Sequence, residues 1–583
     1  MRFIARIALA GCVIAVASMA FAAAALASDV LVSNGSPPGP FSKNKQNEPA
    51  VAIDQAHPQY VAAGSNDEID MEDCNAGDPT TCPFTPGVGV SGVYLSSDGG
   101  ASYIQPVYQG WTARDCIGPP GYTCTPHVGD IGTLPQYYTN GLVSDGDPAL
   151  AFGPQPDGAG GFSYANGSRL YYVNLASNFP APAKQEQAFK GYEAIAVSRL
   201  DTQDWARATA GDDSAWKAPV IVSKQSSTTF SDKEAVWADN AESSPYFGNV
   251  YVCNTSFRSN GAGPEPILFV RSTDGGDTWS NPKQLTPATN NNQTGGRQSC
   301  AIRTDSAGVV YLYFEGFDKK TGESVFYQVR SFDGGVRFER PRAVVTVHEC
   351  GLPDPVTGRY SFDGVAGART DSFPSVDIAN GAPTGADATD EIVMTWCDGP
   401  TPSATEPGPN EQALVAYSLD HGGSFVVAGN AAPAGDRPDF PAIAISPDGT
   451  ALYLTYTNFL QPWQPSALAP PRLAQGVVRT TTISTGAPGS WTDRNRGPTG
   501  DARGSSQNNL VAEFLGDYNY AAATRDHGVA VWNDVRAAAD CPAIDAYRQA
   551  LVDEDPNATR PEEEQECPLA FGNSDIFGGV YTP

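Results

Sequence analysis

One short pattern recurs seven times along the chain: a strand opening near a proline or an acidic residue, a turn, and a second strand rich in aromatic residues. The first strands are Glu48–Ile53, Asp147–Phe152, Glu234–Trp237, Ser299–Ile302, Phe373–Val376, Phe440–Ile445 and Tyr518–Ala522. Their partners are Tyr60–Ala63, Leu170–Val173, Val250–Val252, Val310–Tyr313, Ile392–Trp396, Leu452–Tyr456 and Val529–Trp532. Successive copies start 65 to 99 residues apart, and a four-stranded sheet with its loops needs only about 40 to 50. Such a sheet cannot bury both faces alone, whereas sheets stacked around an axis cover one another. The repeat therefore predicts an all-β chain forming a single β-propeller, with seven blades and six as the alternative count. The 60 glycines and 48 prolines favour many turns over long helices.

The last copy lacks a fourth strand before the chain reaches Pro583. Residues Asp29–Ser33 are predicted to supply it, joining the two ends of the chain and removing free sheet edges. An insertion between Cys541 and Cys567, with a short helix around Ala543–Leu551, interrupts this blade. Residues 1–27 read as a secretory signal peptide: Arg2 and Arg6, an apolar run from Ile7 to Leu26, then Ala25-Leu26-Ala27. That leaves 28–583 as the propeller, exported and without a transmembrane segment. Once Cys12 departs with the signal, an even number of cysteines remains, which suggests a disulfide framework. Cys74 with Cys82, Cys116 with Cys124 and Cys541 with Cys567 are expected as local pairs. The pairing of Cys253, Cys300, Cys350 and Cys397 stays open. No CxxC spacing occurs, so a zinc site ranks below disulfides.

The 36 Lys and Arg against 65 Asp and Glu give a net charge of −29. Such a surface repels nucleic acid and anionic membranes. It also disfavours an anionic ligand unless arginines gather locally.

Four turns follow third strands with nearly one sequence: Ser96–Tyr103, Ser272–Trp279, Ser331–Phe338 and Ser418–Phe425. Their S-x-D-x-G-x-x-aromatic pattern resembles the Asp box of the BNR repeat, and with it the chain resembles the sialidase-like propeller superfamily. In such a turn the Asp accepts backbone N–H groups, Gly takes positive φ and the aromatic packs between blades. The resemblance puts these turns at the outer rim, away from any active face, and suggests worn copies ending at Trp205 and Trp491. It implies a secreted propeller acting on a glycan or glycoconjugate as an exo-glycosidase. The alternative is a non-catalytic propeller binding carbohydrate or protein. No cofactor is expected, with Ca²⁺ as an optional stabilising ion.

In a propeller, the loops entering the innermost strands converge on one mouth of the channel. Here they bring Asn47 and Glu48, Asp145 and Asp147, Asp232 and Glu234, Arg297 and Gln298, Asp371, Arg437 and Asp439, and Asp517 and Tyr518. Carboxylates mixed with arginines can bind a sugar, hold Ca²⁺ or carry out acid/base catalysis. Glu48, Asp147, Arg297, Arg437 and Arg536 are the expected substrate-binding residues. Sialidases carry an arginine in an R-I-P motif on the first inner strand. The matching stretch here is Asn47-Glu48-Pro49, and asparagine offers neither charge nor a bidentate fork. The family places its catalytic acid in the loop that follows, where this chain has Asp67, Glu68, Asp70, Glu72 and Asp73. Asp70 is the candidate acid, and a solvated acidic loop or a Ca²⁺ loop is the competing reading. By the same resemblance Tyr518 beside Asp517 stands in for the tyrosine nucleophile and its carboxylate, with Arg297, Arg437 and Arg536 for the arginine cluster. The five histidines do not form a triad or zinc pattern, and no glycine loop is placed to cradle phosphate.

Overall fold

In the computed structural model each repeat is an antiparallel sheet whose first strand lines a common axis. Residues 29–583 are described, apart from 38, 40, 75–84, 117–123, 181–186, 224, 259–264, 287–296, 319, 354–359, 362–368, 400–410, 462–465 and 469–470. The predicted signal peptide and Cys82 lie outside the described residues.

Blade 1 comprises Gln46–Ile53, Val61–Asp67 and Ser91–Ser96, and blade 2 Ala149–Pro156, Phe162–Asn178, Ala194–Asp201 and Trp216–Ile221. Blade 3 comprises Thr229–Ala238, Val250–Arg258, Ile267–Ser272 and Lys283–Gln284, and blade 4 Arg297–Thr304, Val310–Asp318, Glu323–Ser331 and Arg342–Val347. Blade 5 runs through Ser375–Ile378, Ile392–Asp398, Gln412–Ser418 and Val426–Asn430, and blade 6 through Pro438–Ile445, Ala451–Phe459, Leu473–Ser484 and Thr492–Arg496. Blade 7 joins Tyr520–Ala523, Gly528–Asp534 and Asp575–Tyr581 to Val30–Leu31 from the other end of the chain, with Val30 opposite Gly578 and Leu31 opposite Phe577. The first strands touch in ring order, and that of blade 7 meets that of blade 1. The chain is thus a seven-bladed β-propeller closed by its N-terminal strand.

The side chains follow the taper of the blades. Small residues occupy the first strands, where sheets converge: Ala50, Ala52, Ala149, Ala151, Ala235, Ala442 and Ala444 are all buried. Bulky Tyr172, Tyr251, Tyr311, Trp396, Tyr453 and Trp532 fill the wider space along the second strands, an alternation that fits wedge-shaped packing. Gly476 is required by this packing, since a Cβ there would sit 2.0 Å from Trp532 Nε1.

The four repeated turns share one hydrogen-bond set. Ser96, Ser272, Ser331 and Ser418 each donate from Oγ to the Asp two residues on, at 2.7 to 3.0 Å. Each also accepts from the N–H of Gly100, Gly276, Gly335 or Gly422, at 2.8 to 2.9 Å. All four end third strands, in blades 1, 3, 4 and 5. The copies expected at Trp205 and Trp491 are not built this way. After Asp201, which pairs with Arg169, blade 2 continues into the helix Trp205–Thr209. Trp491 follows the short strand Ala487–Pro488 of blade 6. Neither segment has the Asp-Gly pair that tightens the other four.

Cys253–Cys300 ties the second strand of blade 3 to the first of blade 4, and Cys350–Cys397 ties the loop after blade 4 to blade 5. Cys116–Cys124 and Cys541–Cys567 close local loops, and Cys74 is also disulfide-bonded. Within the last loop lies the helix Pro542–Val552. Among the described residues no helix is long and apolar enough to cross a membrane.

Candidate functional site

The first strands of blades 1, 3, 4 and 6 share a register break at one level, between Asn47 and Ala50, Asp232 and Ala235, Gln298 and Ala301, and Asp439 and Ala442. At each break a residue takes positive φ: Glu48 (56°), Lys233 (56°), Ser299 (54°) and Phe440 (50°), and Asp147 (51°) does so as blade 2 begins. Non-glycine residues pay for this conformation, and such strain clusters where side chains must be aimed. These positive-φ residues Glu48, Asp147 and Lys233 share one end of the channel with Arg369 and Asp517.

Asp517 is the hub. Arg369 grips it with Nε at 2.5 Å and Nη2 at 2.7 Å, and Lys233 Nζ donates to the same carboxylate at 2.5 Å. Arg369 also reaches Glu48 at 3.3 Å and lies over the Phe514 ring, 4.8 Å from its centroid. Burial alone would raise the Asp517 carboxyl, but the two cations hold it well below the usual carboxylate range. Asp147 goes the other way: burial, then the neighbouring Glu48, push it well above its ordinary value, and the two carboxyls share a hydrogen bond. Asn66 braces them, donating to Glu48 at 2.6 Å and to Asn47 at 2.8 Å while accepting from the Asp147 N–H at 2.7 Å. The channel mouth thus pushes the Asp147 carboxyl up and the Asp517 carboxyl down.

Next to this group stand Glu315, Glu349 and Asp371, each offering a carboxylate oxygen within 4.8 Å of the others. Burial and mutual repulsion raise Glu315 strongly and Asp371 to about 7. These three have the oxygen chemistry to hold a hard cation. Cys350, Cys397 and Asp439 also lie close together, but the disulfide removes the thiolates. The central cavity is walled by Lys233, Glu234, Asp371, Phe373, Asp517 and Tyr518, from blades 3, 5 and 7 or the loops entering them.

Of the expected site residues, Glu48, Asp147, Asp517 and Tyr518 come together here. Tyr518 is half-buried, and burial with the nearby Asp147 and Glu48 keeps its phenol well above its ordinary value, hence neutral. Asp70 lies elsewhere: it is fully buried, bound to Arg114 at 2.7 and 3.0 Å, to Gly132 N–H and to Thr133 Oγ1. Burial lifts it to about 6 despite Arg114. The acidic run around it is not the solvated loop expected, because Asp67, Glu68, Asp70 and Asp73 are all buried. Glu68 pairs with Lys45 and Asp73 with Lys43. Arg437 is spent on Glu411 and the Gln461 carbonyl, and Arg536 on Asp29 and Asp534. Neither arginine lines the cavity. Arg297 opens the first strand of blade 4 opposite Gly316.

Arg369, Lys233, Asn66, Glu315 and Glu349 escaped the sequence reading. Arg369 and Lys233 lie within two residues of expected positions, in the same entry loops, so scanning those loops for cations as well as acids finds them. Glu315 and Glu349 carry no such signal, since one is on a second strand and the other beyond an outer one.

Fold and site together define a seven-bladed propeller with a cation-bridged, carboxyl-rich channel mouth. No protein-family model and no curated protein matches the chain. Among solved structures it is similar to the Hadza microbial sialidase Hz136, at 12% identity over 71% of this chain and 63% of that one, with a TM-score of 0.36. It is also similar to the α-L-arabinofuranosidase Arb93A from Fusarium graminearum, at 11% identity over 74% and 92% of the two chains, TM-score 0.37. An ulvan lyase of polysaccharide lyase family PL25 aligns at 9% identity over 84% and 92%, TM-score 0.38. The chain thus covers less than two thirds of the sialidase's length. At these identities the likeness concerns fold alone, and the blade architecture rests on the strand pairing above.

Proposed function

We propose that the protein is a secreted, glycan-active propeller that cleaves a terminal sugar at the channel mouth. One arrangement carries this reading: Asp147 and Asp517 both face Lys233 and Arg369, yet their surroundings push the Asp147 carboxyl up and hold the Asp517 carboxyl down. Glycoside cleavage uses such a division of labour. The glycosidic C–O bond breaks as Asp147 passes its proton to the leaving oxygen, and water then adds hydroxyl to the anomeric carbon and returns a proton. Asp517 stabilises the positive charge that develops on the sugar, and Tyr518 donates from its neutral phenol. The four box-like turns serve as rim fasteners, and the disulfides suit an oxidising, extracellular setting. Asp70 has a structural part in this scheme.

A second reading, binding without cleavage, draws on Arg369 and Lys233 together occupying both Asp517 oxygens. A panel of chromogenic glycosides, assayed with wild type, D147N, D517N and D70N, separates the two. Cleavage lost at least about a hundredfold in D147N and D517N but kept in D70N supports the enzyme reading. Undiminished turnover in D147N removes Asp147 as proton donor. A silent panel, with glycan-array binding retained, leaves the binding reading.

A further inference from the structure

The helix Pro542–Val552 in the insertion of blade 7 has 11 residues, too few to hold in water alone. Pro542 opens it and the Cys541–Cys567 bond ties its base. Its buried residues are Ile544, Asp545 and Arg548, the spacing of a single helix side. Ile544 joins Phe41, Leu510, Cys541 and Phe571 in one apolar cluster. Arg548 is only 1% exposed, and a guanidinium buried so deeply is costly unless its donors are met.

Among the described residues, the hydrogen bonds of Arg548 all end on one loop, the segment joining blades 6 and 7. Nε donates to the Leu510 carbonyl at 3.2 Å and Nη1 to the Arg503 carbonyl at 3.3 Å. Nη2 donates to the Ser505 and Ala512 carbonyls and to Ser506 Oγ, at 3.0 to 3.1 Å. These acceptors are neutral, so the loop wraps its own carbonyls around a cation that the insertion supplies. Arg503, inside the loop, pairs back to Asp545 of the helix at 3.2 Å.

The same loop runs directly into the channel mouth. Ser505 Oγ accepts from the Phe514 N–H at 3.2 Å, and Arg369 and Lys45 both lie over the Phe514 ring. Glu513 is fixed by Arg472 at 3.2 Å, with both side chains at most 1% exposed. Gly516 takes a φ of 83° against Glu48, and a Cβ there would sit 2.5 Å from Glu48 Cγ and 2.9 Å from its backbone nitrogen. Asp517, held by Arg369 and Lys233, comes next.

We infer that Arg548 is a positioning residue of the channel mouth: the tethered insertion shapes the loop Arg503–Ala512 and, through it, sets Phe514, Gly516 and Asp517. This rests on the mouth being the site proposed above.

A double-mutant cycle between R548M and R369Q tests it, read by urea denaturation of the full chain. The two arginines share no hydrogen-bond partner, so separate roles make their effects additive. Positioning makes them couple: in the R548M background R369Q should lose at least about half of its effect at neutral pH, and the change of that effect on acidification should flatten. Additive effects overturn the inference. If R548M does not fold, R548K, which keeps the charge with fewer donors, takes its place. Hydrogen exchange of the wild-type protein supplies a test without any variant. Residues 505–517 and the helix Pro542–Val552 should open as one unit, with one dependence on denaturant. Opening of the helix while residues 505–517 stay protected overturns the inference. A silent glycoside panel beside a coupled cycle removes cleavage and keeps the positioning, and cleavage beside additive effects does the reverse.

Discussion

Replacing Arg369 by glutamine tests the construction of the channel mouth most directly. R369Q removes two charge-assisted bonds to Asp517, at 2.5 and 2.7 Å, and the contact with Glu48, leaving Lys233 as the one cation on that carboxylate. Truncating one side of a buried ion pair costs about 3 to 5 kcal/mol. Here the Arg369 side chain is 25% exposed against 7% for Asp517, and Lys233 keeps part of the compensation, so the lower end applies: about 3 kcal/mol. The pH dependence follows from the depressed Asp517 carboxyl. A group held below its ordinary value of 3.8 contributes stability that is full above that pH and is lost as pH falls through the folded value. The gap between wild type and R369Q should therefore be fully open at neutral pH and narrow progressively below about pH 4. Urea denaturation followed by tryptophan fluorescence at several pH values reads both quantities. A variant within about 0.5 kcal/mol of wild type at neutral pH, or a gap that does not change on acidification, refutes the claim that Arg369 clamps an ionised Asp517.

Two further outcomes follow from other parts of the fold. Burial lifts Asp239, with Oδ1 unpartnered, from 3.8 to about 8. Its protonated form therefore favours the fold at acid pH, and that contribution is lost as pH rises from about 4 to 8, up to about 6 kcal/mol. D239N should remove this loss, so its stability relative to wild type should increase with pH in denaturation measured at pH values spanning that range. The Cys253–Cys300 link spans 47 residues, for which loop-closure entropy predicts about 4 kcal/mol. A C253S/C300S double variant should lower the denaturation midpoint accordingly, and an unchanged midpoint would mean that blades 3 and 4 hold together without the bond.

Blade architecture was legible because it is written locally. The alternation in segments such as Ala442–Ile445 and Leu452–Tyr456, and the Ser, Asp and Gly of the four turns, each act within a few residues, and repetition fixes their arrangement around an axis. Val30–Leu31 could be assigned to blade 7 because the last copy of the repeat reaches Pro583 before its fourth strand, and closing the ring brings the other end of the chain to that edge. The same local reading misjudged the Asp67–Asp73 run, since acidic composition suggests water and says nothing of Lys43, Lys45 or Arg114 arriving from other segments.

The sequence by itself determined the repeat, the turns, the closing strand and the ring of entry loops, all consequences of short-range periodicity. Only the tertiary structure decided which charges meet. Lys233 reaches Asp517 across 284 residues of chain and Arg369 reaches Glu48 across 321, and Cys253 chooses Cys300 because two neighbouring blades bring them together. Such encounters depend on how strands from separate blades converge on the axis and where their bulges aim side chains. No window of sequence contains both partners.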